Sequence, residues 1–215
     1  MAGRPGKAAA GDVMAAGETA LNAGGGQARE PLLTRPVIIA CLVTLMAMLV
    51  GLTLEGRVLF CGCGSWSPWI SDVDSRHCSQ HLFDAYSASH VLHGVLFFGV
   101  LWVLKGSWSA GWRLWACIAL EAGWEVLENS PMVIDRYRTA TIALGYTGDS
   151  IVNSLFDVAS CVVGYWIASR LNWKWSIAFF LAVELVMLAS IRDSLSLNVL
   201  MLVYPLEVVK QWQLK

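Results

Sequence analysis

Five stretches of the chain are long and apolar enough to cross a bilayer as helices: 36–54, 82–104, 112–132, 151–170 and 175–191. Each approaches the roughly 20 residues that a hydrocarbon core about 30 Å thick requires at about 1.5 Å per residue. A sixth run, 195–209, is interrupted by Pro205 and Glu207. It reads either as a further span or as a re-entrant or interfacial helix. The pattern therefore predicts an all-α fold, one polytopic transmembrane bundle of about five or six helices over 31–215. Residues 1–30 differ in kind. They are rich in Ala and Gly and lack the apolar mass to fold, so a disordered cytoplasmic tail is expected there.

The polar positions inside those runs are more informative than the runs themselves. Glu121, Glu125 and Glu128 follow one another at spacings that place all three carboxylates on one helix face. A charge at mid-bilayer costs roughly 2.5–3.5 kcal/mol, so this face has to meet partners, water or a substrate. The second run carries His90 and His93 at i, i+3, a spacing that lets two imidazoles share a metal or lets one orient the other as a base. The fourth opens with Asp149, Asn153 and Asp157 at i, i+4, i+8, continued by Ser160 and Gly164. Small residues in such a stripe suit a close helix contact. Asp157 needs more than that, because a buried carboxylate without a partner is costly.

Composition supports the membrane reading: 56% of the residues are hydrophobic and 14% charged, against about 25% charged in average soluble domains. The net charge of −1 gives no reason to expect a nucleic-acid partner, and the lipid bilayer is the expected environment. Of the eleven tryptophans, Trp66, Trp69, Trp108, Trp112, Trp173 and Trp175 fall near segment ends, where indoles favour the headgroup region. Lys and Arg are moderately enriched on the side that holds Arg29, Arg35, Lys105, Arg113, Arg170 and Lys174, which favours a cytoplasmic N-terminus. In that topology the loops 61–81 and 129–149, with Arg192 and Asp193, share the outer face. Glu121 then lies roughly 10 Å below Glu128, Asp157 about 12 Å below Asp149 and Glu184 about 12 Å below Arg192. One polar cavity open to that face accounts for all of them.

Arg136 and Arg138 fall at the rim of this cavity, where two guanidinium groups suit an anionic headgroup. The loop after the first run holds Cys61, Cys63, His77, Cys78 and His81. Cys61, Cys63, Cys78 and His81 match a zinc site by donor count, but in an oxidising compartment a disulfide from Cys78 to Cys61 or Cys63 is the stronger expectation.

Several motifs resemble one bacterial family: CxCG at 61–64, SQHLxDxYxxSHxxHG at 79–94, EAGWExxENSPxxIDRYRxAT at 121–141, GDSxxNSxxD at 148–157 and IRDxLxLNVLMLxYPLExxKxWQ at 191–213. This is the family of domain of unknown function 2585, also termed uncharacterised protein family 0314. The resemblance runs in order over about 55–213. It implies a multi-pass inner-membrane protein, mainly of alphaproteobacteria, with no assigned activity.

Two functions follow as expectations. One is an intramembrane hydrolase or transferase acting on a lipid-borne group, with Glu121, Glu125, His90, His93 and Asp157 as acid/base groups. A divalent metal on His90, His93, Glu121 and Glu125 is part of that expectation. Arg136, Arg138, Asp149, Asn153, Glu128 and Arg192 would then bind substrate. The other is a non-catalytic binding, assembly or transport component whose polar side chains pair internally.

Overall fold

The structure, a computed structural model, describes residues 32–64 and 66–214; the expected tail over 1–30 lies outside them. The described chain is an all-α bundle: α1 (Arg35–Leu54), α2 (Ser87–Leu104), α3 (Ala110–Glu128), α4 (Pro131–Ala140), α5 (Ile151–Arg170), α6 (Trp173–Ile191), α7 (Leu195–Val203) and α8 (Glu207–Gln213). The loop between α1 and α2 contributes a parallel bridge of two residues per strand, β1 (Trp69–Ile70) with β2 (Phe83–Asp84). Four helices, α1, α2, α5 and α6, are long and apolar enough to cross a membrane. α3 matches them in length at 19 residues but carries the three glutamates and Arg113.

Most helices start where a short polar side chain can accept a first-turn N–H. Ser109 caps α3, Ser130 α4, Ser150 α5, Asn172 α6 and Ser194 α7. Ser130 and Pro131 explain a helix that the sequence reading placed in a loop. Proline ends the preceding helix, yet at the first position of the next one it is preorganised.

α5 is the centre of the bundle. Ile151 and Val158 pack with Met48 and Leu52 of α1 and Ala122 of α3. Cys161 and Tyr165 pack with Leu101 of α2 and with Leu114 and Cys117 of α3. α2 and α5 approach so closely that a Cβ on Gly94 would collide with the Cys161 carbonyl, and one on Gly164 with the Val91 carbonyl. Small residues permit that crossing. By contrast α1 and α6 turn large apolar side chains outward, among them Ile39, Val43, Met46, Ile177, Leu181 and Leu185. A helix surface of that kind suits an apolar surrounding.

The polar segments gather at one end. The first N–H groups of α5 are taken by the loop after α1, Ile151 N–H donating to the Val58 carbonyl at 2.9 Å and Val152 N–H to Leu59 at 3.2 Å. Ser150 N–H donates to the Ser79 carbonyl at 2.9 Å, and the Gln80 amide to the Gly148 carbonyl at 2.7 Å. The Tyr86 hydroxyl reaches Asp193 at 3.4 Å. The segment 195–209 holds no helix long enough to cross a membrane. Its first helix, α7, has nine residues, about 13 Å of length, and after the break α8 brings Gln213 back to the Arg192 carbonyl and Asp193.

Candidate functional site

His90 and His93 project from α2 onto Glu121 of α3. His90 Nδ1 lies 2.6 Å from Glu121 Oε1, and His93 Nδ1 lies 3.0 Å from Oε2. With a carboxylate as acceptor, each Nδ1 is the donor and Nε2 is left as the basic nitrogen. His90 Nε2 faces Asp157 of α5, 4.0 Å from Oδ2, too far for a direct hydrogen bond. Asp157 Oδ1 accepts from Ser87 Oγ at 3.2 Å, and Ser87 Oγ accepts from the Asp84 N–H at 3.1 Å. The imidazole is thus held on one side by Glu121, while Asp157, itself held by Ser87, faces its other side across a gap.

Glu125 lies one turn further along α3. Its Oε1 is 3.4 Å from His90 Nδ1, and both of its oxygens are buried without a hydrogen-bond partner. Such an orphaned pair marks a strained or functional position. Two overlapping donor sets have the spacing of a cation site: His90, His93 and Glu121, and His90, Glu125 and Glu128.

Towards the polar end, Asn129 grips Asp149 twice. Its amide donates to Asp149 Oδ2 at 2.9 Å, and its carbonyl accepts the Asp149 N–H at 2.6 Å. The Tyr146 hydroxyl donates to Oδ1 at 3.0 Å. Burial pushes the Asp149 carboxyl above its ordinary value, opposed by the hydrogen bonds from Asn129 and Tyr146. Burial and the neighbouring Asp149 raise the Tyr146 phenol well above its own.

A cavity of about 810 Å³ runs alongside this array. His90, His93, Asp157, Glu128, Asp149, Tyr137 and Tyr146 form its polar wall, and Leu96, Phe97, Leu120, Trp124 and Leu127 its apolar one. Glu121 and Glu125 stand behind the histidines and do not line it. Leu96, Leu120 and Leu127 line the cavity while remaining 44–48% exposed. Its apolar side therefore opens towards the outside of the bundle, between α2 and α3.

The structure brings together His90, His93, Glu121, Glu125, Glu128, Asp149 and Asp157, but not the remaining candidates. Asn153 is a brace, its amide donating to the Leu82 carbonyl at 3.4 Å. Arg136 donates to the Leu202 and Val203 carbonyls, and Arg138 to the Tyr146 carbonyl. Arg192 is exposed beyond the end of α6. None of the three arginines lines the cavity; among the described lining residues the one Lys or Arg is Arg76. Glu184 is satisfied internally, by Ser194 Oγ at 3.1 Å and Ser196 N–H at 3.2 Å. The expected disulfide is replaced by other pairings. Cys78 is a free thiol beside Asp84, 3.6 Å from Oδ2, while Cys61 and Cys63 face His77 and His81. Burial, then the Asp84 charge, pushes the Cys78 thiol far up, so it stays protonated.

Ser87, Asn129, Tyr146 and Asp84 belong to the site but were not singled out for chemistry. Their signal was weak, since Ser, Asn and Asp beside helix ends serve as caps in most proteins.

The family model of a protein of unknown function, DUF2585, matches residues 52–215, a region that holds every residue of the site. A UPF0314 protein of Rhizobium etli is 45% identical over 175 residues, 81% of this chain and 90% of the relative. A UPF0314 protein of Sphingopyxis alaskensis is 44% identical over 182 residues, 82% of this chain and 93% of the relative. One from Paracoccus denitrificans is 44% identical over 158 residues, 74% and 82% of the two chains. No solved structure matches the chain. With this family model covering α2 to α8 and these identities, the chain belongs to the UPF0314 family, the proteins of unknown function DUF2585.

Proposed function

We propose that the protein is an integral enzyme of the bacterial inner membrane, with its N-terminus in the cytoplasm and its polar end outward, that hydrolyses or transfers a lipid-borne group. The observation that carries this reading is His90: its Nδ1 is held by Glu121 at 2.6 Å, and its Nε2 turns to Asp157 and the cavity. A carboxylate on Nδ1 fixes the tautomer and steadies the imidazolium that forms when Nε2 accepts a proton. His90 would take the proton from an attacking water or hydroxyl as the new bond forms. It would return that proton to the leaving oxygen as the old bond breaks. Asp157 would position the nucleophile, and Arg76 would meet an anionic headgroup. The exposed leucines at the cavity's apolar opening suit an acyl or prenyl chain that stays in the lipid while its head enters.

A divalent ion is a second form of the same reading, supported by the orphaned Glu125 oxygens. Two ligands of one zinc-sized ion lie roughly 3.3 Å apart. The separation of His90 and Glu125, 3.4 Å, fits, whereas that of His90 and Glu121, 2.6 Å, is a hydrogen bond and would have to widen. His90, His93, Glu121 and Glu125 would hold the ion behind the imidazoles, where it would orient both rings and make their cavity-facing Nε2–H groups stronger acids.

The test is purified protein in vesicles made from total lipid of a producing bacterium, followed by mass spectrometry of the lipids. Turnover of at least one lipid-borne species, reduced about 10²–10⁴-fold in His90→Gln, is expected for loss of a general acid/base. If no species turns over, or His90→Gln matches the wild type, the catalytic reading is lost and a binding, assembly or transport role takes its place.

A further inference from the structure

We infer that the loop between α1 and α2 carries a structural zinc site formed by Cys61, Cys63, His77 and His81, separate from the helical cluster. The four donor atoms lie within 4.8 Å of one another. Cys61 Sγ is 3.4 Å from His77 Nδ1, and Cys63 Sγ is 3.8 Å from His81 Nε2. In a tetrahedral site with Zn–S near 2.3 Å and Zn–N near 2.0–2.1 Å, a sulfur and a nitrogen ligand are separated by roughly 3.6 Å. The two separations bracket that value. Two thiolates and two imidazoles are also a preferred donor set for structural zinc, and neither needs a water to complete it.

The surroundings hold the donors in place. Cys61 N–H donates to the Gln80 carbonyl at 3.2 Å, and Gln80 N–H to the His77 carbonyl at 3.1 Å, so the two ligand arms are joined through the backbone. His81 is buried, with Phe60 edge-on to its ring at 5.1 Å. One contact has to give. Ser67 N–H donates to His81 Nδ1 at 3.3 Å, which places the imidazole proton on Nε2. Zinc takes Nε2, that proton moves to Nδ1, and the Ser67 contact opens. The two thiol protons go to solvent.

The ion has a mechanical role here. Val73, Asp74, Ser75 and Arg76 lie between the two ligand arms and line the cavity. The regular structure that otherwise ties this stretch down is a two-residue bridge. A tetrahedral ion across the arms closes the loop and sets the height of Arg76 above the cavity. This inference does not rest on the catalytic reading.

Elemental analysis of the full chain, purified in detergent without chelator, should find about one zinc per protein. The double variant Cys61→Ser/Cys63→Ser should lose it, and His90→Ala should retain it. Cobalt exchanged into the wild type should show a thiolate-to-cobalt charge-transfer band that the double variant lacks. Cys63 is exposed, so Cys63→His offers a replacement donor without disturbing the core. It should keep the metal and alter the cobalt spectrum, which covers the case where the double variant fails to fold. Three results overturn the site: zinc unchanged in the double variant, a cobalt spectrum unchanged in Cys63→His, or wild-type cysteines recovered as a disulfide with no metal.

Discussion

α5 and α6 are nearly equal in length, 20 and 19 residues, and both are apolar enough to span a membrane. Their environments are opposite. α5 buries ten residues, among them Asn153, Asp157, Ser160 and Gly164. α6 buries two, Glu184 and Met187. Hydropathy therefore separates neither helix from the other; the small and polar residues do. A helix surrounded by helices needs Gly and Ser where backbones meet and polar groups that find each other. A helix on the periphery needs apolar bulk.

Adding side-chain volume is the sharpest way to break the contrast. Gly164→Val drives a branched side chain into the Val91 backbone carbonyl, which cannot move as a side-chain tip could. We expect a loss of at least about 3 kcal/mol, the upper part of the overpacking range, read as collapse of the thermal unfolding transition in detergent. The matching change on α6, Ala178→Val, is at an exposed position and should alter stability by less than about 0.5 kcal/mol. Equal effects from the two substitutions would remove the distinction.

Polar deletions come next. Asn129→Ala strips Asp149 of a hydrogen bond to its carboxylate and one to its N–H, just before α5. Leaving those buried groups unpaired should cost about 1–3 kcal/mol. Glu184→Gln on α6 keeps an acceptor for Ser194 and Ser196, so about 1 kcal/mol or less is expected in the same assay. The reverse order would show that α6 is the more polar-dependent helix.

The smallest expected effect is with pH. Burial raises the carboxyls of Asp149 before α5 and of Asp193 after α6. A group with a raised folded value keeps its proton in the folded state after the unfolded chain has released it. Its contribution is therefore fully present below the unfolded value and is lost as pH rises through the folded one. Unfolding temperature should fall modestly as pH is raised above the ordinary aspartate range, and Asp149→Asn should flatten that slope. A slope of the opposite sign would show that other groups dominate.

Much of this arrangement follows from spacing along the chain. The faces carrying His90 with His93 and Glu121 with Glu125 are fixed by helical periodicity, so their meeting needed the two helices to be neighbours and little else. The gathering of the loops at one end followed from counting spans. Other parts depend on contacts across long stretches of chain. Arg136 and Arg138 look like rim cations in sequence, but the open carbonyls at the end of α7 and in the turn before Asp149 claim them. The cysteine pairings depend on how the loop folds back, and adjacency of His77 to Cys78 conceals which one turns towards Cys61. α4 is signalled by Ser130 and Pro131, but the same proline that suits the first turn of one helix also ends the one before it, so the sequence leaves the two roles unresolved.

The glycine crossing of α2 and α5 also sets a tolerance. Gly94 lies four residues beyond His90 and Gly164 seven beyond Asp157, about 6 Å and 10 Å along their axes. The gap between His90 Nε2 and Asp157, 4.0 Å, is thus measured from a hard backbone-to-backbone stop and not from compressible side chains. A slide of one ångström at the crossing would either join the two groups directly or open the gap to about 5 Å, a separation that one water bridges. The pair of glycines acts as a gauge block for the distance at which a proton would change hands.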